Sequence, residues 1–263
     1  MSSLSVIIVT NNERLTYLNK CIDSLILQKT NFDYEILIIY SGIIENYKRI
    51  TDSRITYTHC PQENYCKKRN VGAKRANKTI LAYIDDDAIA DQYWVSSAIE
   101  YFNKNNSVMF AGGRVYPGYE KEIPQDILGY ERMVGGFNED KNIGYSSTNI
   151  IGCNMFVNKK WLLEIGGFNE WIGDLNTLKP RKIMGGDEDD LLLKLSKDKI
   201  GFIKSAVVTH SIQEFRLSRD YLLKRCRAVG YVGVILNYIK NGNEASSYSN
   251  RIIAIVYILY AFL

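Results

Sequence analysis

The stretch YIDDDAIAD, residues 83–91, decides how this chain is read. Three carboxylates, Asp85, Asp86 and Asp87, follow directly on an apolar run. Adjacent like charges repel, and each prefers water to a strand end. Such a cluster calls for positive charge beside it. One local reading is a solvated loop with an aspartate capping the next helix. The other is a divalent cation held against a diphosphate, since such ions take hard oxygen ligands and keep substrate phosphates. Asp85 and Asp87, at i and i+2 of a turning strand end, both reach one ion. Asp86 between them then meets a sugar hydroxyl.

The flanking sequence supplies the frame. LSVIIVT (4–10), YEILIIY (34–40), RITYTHC (54–60) and TILAYID (79–85) are apolar, β-branched runs, the pattern of strands buried on both faces. Helical spacing separates them: Leu15, Leu18, Ile22, Leu25 and Ile26 within 13–29, a short helix over 70–77, and WVSSAIEYFNKN (94–105). SVMFAGGRVY (107–116) is a further strand. The alternation predicts an α/β fold with a mainly parallel central sheet and flanking helices. Ligands of such sheets sit beyond the carboxyl ends of the strands, where YIDDD places its acids. From 114 to 150 the pattern weakens into a surface excursion. A short strand and helix lie within 149–168, and 170–186 is a long loop. DEDDLLLKLSKDKIG (187–201) is a helix with acids in its first turn, which suits the helix dipole. FIKSAVVTH (202–210) is a last strand, and 215–240 is an amphipathic helix with a basic side.

Composition narrows the class. The chain has 263 residues, a net charge of +4 and five scattered cysteines without a CxxC pair or Cys/His cluster. The odd count predicts reduced, buried thiols in a cytoplasmic protein. No basic run interleaves with stacking aromatics, which argues against nucleic acid as a partner. MSSLSVIIVTNNE reads as a first strand rather than a signal peptide.

Two acidic chemistries fail on the residues. An aspartyl-phosphate hydrolase needs its nucleophile after the first strand, where TNNE stands. A prenyl-diphosphate enzyme needs DDxxD, but Ile89 and Ala90 occupy the distal positions.

In its segments the chain resembles the family-2 glycosyltransferases, whose GT-A (Rossmann-like) fold binds nucleotide-diphospho-sugars. The resemblance runs from about residue 4 to 212. SVIIVTNNE is similar to the family's first strand and loop, which implies a nucleotide site at Thr10 and Asn12. CKKRNVGAKRA (66–76) is similar to its RNxG segment and directs Arg69 toward the nucleotide. IDDD resembles the DxD motif, with Asp85 and Asp86 toward the donor and Asp85 and Asp87 on Mn²⁺ or Mg²⁺. IGCNMFVNKKWLLEIGGFNE (151–170) resembles the acceptor-side segment, which places Asn154 there. GGDEDDLLLKL (185–195) resembles the helix that presents the catalytic base. AVVTH resembles the closing strand whose histidine, here His210, joins the metal.

Departures qualify the resemblance. The second strand ends in Tyr40 and Ser41, where the family carries an aspartate for uracil. Tyr40 stacks on a base instead, or the segment is ordered differently. In DEDD the register favours Glu188 as base, with Asp187 and Asp189 as the alternatives. A lone histidine at a strand end is otherwise structural, as we read His59. Trp171 either offers an aromatic face to an acceptor or packs in the core. QEFRL (213–217) lacks the tryptophan of the QxxRW signature of processive synthases and is set aside as coincidence, so single transfers are expected.

The implied organisation is a glycosyltransferase domain over 1–212 and a helical extension over 213–263. Within the domain, about 1–113 binds donor and about 114–212 carries acceptor and catalysis. RIIAIVYILYAFL (251–263) is shorter than the roughly 20 residues of a full span. It is a buried helix, a helix on a membrane, or part of a cut-off span. Arg216, Arg219, Lys224, Arg225 and Arg227 form a solvated face or touch anionic lipid. Peripheral contact at the inner face of a membrane is therefore an expectation alongside the cytoplasmic one. The implied reaction is metal-dependent, inverting transfer from a nucleotide-diphospho-sugar to a hydroxyl of a saccharide or lipid-linked acceptor in bacterial-type glycan assembly. A nucleotide-sugar-forming nucleotidyltransferase needs a glycine-rich triphosphate loop that TNNERL lacks. A non-catalytic sugar- or lipid-binding module is the other alternative, disfavoured by intact DxD and DEDD segments.

Overall fold

The computed structural model describes residues 2–11, 14–42, 50–135, 150–172 and 185–240. Among the described residues eight strands form one sheet: β1 (Leu4–Thr10), β2 (Tyr34–Tyr40), β3 (Ile55–His59), β4 (Ile80–Asp85), β5 (Ala88–Ala90), β6 (Phe110–Tyr119), β7 (Asn154–Asn158) and β8 (Ile200–Ile212). Their spatial order is β3-β2-β1-β4-β7-β6-β8-β5. The helices are α1 (Leu15–Ile26), α2 (Tyr65–Arg75), α3 (Trp94–Lys104), α4 (Lys159–Glu164), α5 (Asp187–Leu193) and α6 (Arg219–Lys240).

Alternating side chains in the central strands explain the layering. Val6 and Ile8 of β1, with Ile36 and Ile38 of β2, face Leu18, Ile22 and Leu25 of α1 and Trp94 and Ile99 of α3. Ile7, Leu37 and Ile39 face the opposite layer, with Cys66 and Ala73 of α2, Leu162 of α4 and Leu191 of α5. Each such fully buried aliphatic contributes roughly 1.5–3 kcal/mol by leaving water. The sheet is thus fixed on both faces, and its strand ends become rigid platforms.

The expected parallel arrangement holds for the first half and for one later pair. β1 lies parallel to β2 and β4, β2 to β3, and β6 to β8. β7 runs antiparallel to β4 and β6, and β5 antiparallel to β8. The sheet is therefore mixed.

Several element bounds shift for local reasons. The helix expected at 70–77 begins at Tyr65, because the Asn64 side chain caps it by accepting from Lys67 N at 3.0 Å. The helix expected over 187–201 stops at Leu193, because residues from Ile200 join β6 as the strand β8. β6 continues to Tyr119, into the expected excursion. Among the described residues no helix is long and apolar enough to cross a membrane. The apolar segment 251–263 lies outside the described residues.

Candidate active site

β1 and β4 pair side by side, Val9 opposite Asp85, so the acids emerge at the carboxyl end of the sheet centre. The chain then turns at once into β5, whose Ala88 pairs with His210 of β8. This three-residue strand brings His210 to the acids. One ligand atom each from Asp85, Asp87 and His210 lies within 4.8 Å of the others. His210 Nδ1 lies 3.1 Å from the Gly135 carbonyl and donates to it. Nε2, 3.4 Å from Asp87 Oδ1, donates to that carboxylate when the ring is protonated and offers its lone pair to a metal when the ring is neutral. Gly135 sits at φ +96°, and a Cβ there would lie 3.0 Å from the imidazole Cε1. Two carboxylates and a neutral imidazole are a donor set suited to Mn²⁺ or Mg²⁺, so these residues fit a divalent cation.

Asp87 is 2% exposed and surrounded by cationic and polar groups. Arg14 pairs with it directly. Arg216 Nη2 donates to its Oδ2 at 3.0 Å and Gln213 Nε2 at 3.2 Å. Burial alone would raise the Asp87 pKa. The hydrogen bond and charge of His210, with Arg216 and Arg14, outweigh burial and hold it below the ordinary aspartate range. Asp86 is also buried, with Oδ2 accepting from Thr10 Oγ1 at 2.6 Å, and burial pushes its pKa up to about 6. Burial likewise raises Asp85, which Arg69 partly offsets.

Arg69, which the resemblance directs toward the nucleotide, is engaged with two of the site's acids. It is 5% exposed, pairs with Asp187 and lies 3.5 Å from Asp85. It thereby ties the DDD turn to the start of α5. Asp187 is buried against that guanidinium, Glu188 is half-buried and Asp189 is exposed. Burial raises the Glu188 pKa well above the usual value, and the charge of Asp187, its hydrogen bond to Glu188 and the charge of Asp189 raise it further. Burial and Asp187 also raise Asp189, with Arg132 and Arg225 acting against them.

Two other expected positions are placed differently. Asn154 is fully buried. Its Oδ1 accepts from Trp94 Nε1 at 2.8 Å, and its Nδ2 donates to the carbonyls of Arg114 and Ala206 at 2.8 and 2.9 Å. It braces β7 against β6, β8 and α3 rather than offering its amide to an acceptor. Tyr40 is 1% exposed, with its ring 5.3 Å from that of His59, so it does not present a face to a base. Thr10 is buried and engaged with Asp86, whereas Trp171 is 53% exposed. Asn12 lies outside the described residues.

Besides Arg14, which pairs with Asp87, three residues of the site were given no part in it by the sequence. Gln213 and Arg216 both donate to Asp87 Oδ2, and both belong to the segment QEFRL. Its Leu217 packs with Ile127, Val134, Ile212 and Leu222, a role separate from that of the two polar side chains. Lys68 is the third. It is 1% exposed and donates to the Thr10 carbonyl at 2.8 Å, to Ser41 Oγ at 2.9 Å and to Asn11 Oδ1.

A half-parallel sheet with a DxD-type turn, a facing histidine and an acidic helix start has the layout of the GT-A fold. Residues 5–166 match the family model described as "Glycosyl transferase family 2", and the chain belongs to that family. A glucosyl-dolichyl phosphate glucuronosyltransferase of Haloferax volcanii is 26% identical over 244 residues, covering 87% of this chain and 75% of that protein. A chondroitin synthase of Escherichia coli is 26% identical over 217 residues, covering 67% of this chain. This chain spans only 31% of that synthase's length. Among solved structures, GalNAc-T7 with UDP, GalNAc and Mn²⁺ superposes with a TM-score of 0.58 at 15% identity, over 87% of this chain and 48% of that one. S. aureus TarS 1-349 gives 0.56 at 12% identity, over 89% and 64%. Both likenesses concern the fold. As its family and named relatives indicate, this protein is a glycosyltransferase.

Proposed function

We propose that the protein moves a sugar, with inversion, from a nucleotide-diphospho-sugar to a hydroxyl of a lipid-linked or other saccharide acceptor. The observation that carries this reading is the grouping of Asp85, Asp87 and His210 within 4.8 Å at the strand ends, tied through Arg69 to the helix that bears Glu188. Mn²⁺ or Mg²⁺ held by the first three residues would supply positive charge against the departing nucleoside diphosphate.

The chain's own groups do the rest. Glu188 takes the proton from the acceptor hydroxyl, which is a weak nucleophile until deprotonated. Its raised pKa makes it an effective base for that transfer once ionised. Arg69 keeps the donor-side and base-side acids at a fixed separation. Thr10 holds Asp86 in one orientation. Trp171 offers an exposed aromatic face to a sugar ring. The segments 114–150 and 170–186 are expected to frame the acceptor, although 136–149 and 173–184 lie outside the described residues. Donor binding within about 1–113, acceptor and catalysis within about 114–212, and a helical extension after 212 is the matching division of labour.

Several features favour the lipid-linked acceptor. The archaeal relative is named for a dolichyl-phosphate substrate. Helix α6 also carries the exposed Arg219, Lys224 and Arg227, which suit anionic headgroups at the inner face of a membrane. The test is loss of intact UDP-, GDP-, dTDP- or CDP-sugar on incubation with the protein and polyprenyl-phosphate-linked saccharides, read by mass spectrometry. Cation-dependent consumption with a one-sugar mass gain on the acceptor supports the reading. Consumption of a sugar phosphate and nucleoside triphosphate instead would assign a nucleotidyltransferase.

A further inference from the structure

The carboxyl ends of β1 and β2 lie side by side, Thr10 opposite Tyr40, and the next residues are Asn11 and Ser41. Beneath them lies the buried ammonium of Lys68. Its three donors are spent on the Thr10 carbonyl, Ser41 Oγ and Asn11 Oδ1, all neutral oxygens. An ammonium donates and never accepts, so it dictates which end of the Asn11 carboxamide faces inward. That end is the oxygen. Ser41 reinforces the choice, because its hydroxyl accepts from Lys68 and so donates its own hydrogen to Asn11 Oδ1 at 3.2 Å. The Asn11 NH₂ is therefore turned outward on an exposed residue. Among the described residues it has no hydrogen-bond partner. It stands at the strand ends, one residue beyond the Thr10 that holds Asp86.

Ligands of parallel sheets bind beyond such strand ends. Resting on the nucleotide-sugar reading above, we infer that Asn11 Nδ2 donates to a ring carbonyl of the donor's nucleobase and selects keto bases over amino bases. Uracil O4 and guanine O6 are acceptors at the edge where cytosine and adenine carry NH₂ donors. An outward donor satisfies the first pair and faces another donor in the second. A carboxylate at these strand ends would present only acceptors, so Lys68, Ser41 and Asn11 together replace acceptor readout by donor readout. Burial pushes the Lys68 pKa down to about 8, consistent with an ammonium surrounded by dipoles rather than by a paired carboxylate.

The test is equilibrium binding of UDP, CDP, GDP and ADP to the full chain in the presence of Mn²⁺. In whichever ring size binds, the keto member of the pair should bind about tenfold tighter or more than the amino member. Asn11→Asp should remove that preference while leaving the diphosphate contacts intact. Lys68→Met should weaken it, because the amide is no longer held in one orientation. Should Lys68→Met fail to fold by circular dichroism, the exposed Asn11→Asp and Asn11→Ala variants carry the test. Equal binding of UDP and CDP, or a preference unmoved by Asn11→Asp, overturns the inference while leaving the nucleotide-sugar reading standing. Failure of all four nucleotides to bind overturns both.

Discussion

Arg216 Nη2 lies 3.0 Å from Asp87 Oδ2, and Arg216 Nη1 lies 3.3 Å from His210 Nε2. One guanidinium, held in the turn after β8, thus touches two of the three groups grouped for a cation. With Arg14 it neutralises a carboxylate that is almost wholly buried. A divalent ion at this site competes with, or displaces, those two side chains.

That competition has a measurable sign. Arg216→Ala leaves Asp87 short of a buried counter-charge, which costs about 3–5 kcal/mol when a buried pair loses one partner. A divalent ion restores the missing charge. Thermal unfolding should show a lower Tm for Arg216→Ala without metal, and a larger rise with Mn²⁺ than in the parent protein. An unchanged Tm, or an equal metal response, would contradict the counter-charge role.

The acid limb of the pH–rate profile should lie above the ordinary glutamate range near a pKa of about 4.3. Glu188 must lose its proton before it can accept one, and burial with its acidic neighbours retains that proton to higher pH. The rate therefore rises with pH through the raised value. Glu188→Gln should bind donor normally and lose about a hundredfold to ten-thousandfold in kcat. Retained turnover would move the role to Asp189, since Asp187 is engaged with Arg69.

Removal of Arg69 should be structural as well as functional. Arg69→Met leaves Asp187 buried without its partner and takes the nearest guanidinium away from Asp85. Equilibrium denaturation should record a loss of about 3–5 kcal/mol. A neutral result would show that the DDD turn and α5 are held together by other contacts.

Gly167 offers a test of the turn after α4. It sits at φ +86°, and a Cβ there would come within 2.4 Å of Asn70 Oδ1. That oxygen accepts from Phe168 N at 2.8 Å, and Asn70 Nδ2 donates back to the Phe168 carbonyl at 2.9 Å. Gly167→Ala should cost about 1–3 kcal/mol from the strained backbone alone. Denaturant titration measures it, and Gly166→Ala, with nothing within 4 Å of its Cβ, should cost less.

Much of this site was legible because its signals are local. An apolar run ending in three acids marks a strand end, and four acids before a leucine pattern mark a helix start. What escaped depended on partners distant in sequence. The burial of Asn154 is decided by Trp94 and by the carbonyls of Arg114 and Ala206, none of which is a neighbour in the chain. Lys68 hides within KKRN, where basic residues suggest a solvated face, yet the ends of β1 and β2 close over it. QEFRL was judged by its missing tryptophan, whereas its Gln and Arg meet Asp87, a residue far away in the chain. The antiparallel half of the sheet was missed because β5 is only three residues long and β7 only five, too short for periodicity to fix direction.

The central claim is that Asp85, Asp87 and His210 hold a divalent cation against the donor's diphosphate. Isothermal titration of UDP and GDP into the parent protein and Asp87→Asn, each with Mn²⁺ and with EDTA, tests it most directly. Nucleotide binding should depend on Mn²⁺ in the parent and lose that dependence in Asp87→Asn. Binding of equal strength with and without the cation, or a metal dependence that survives Asp87→Asn, would contradict it.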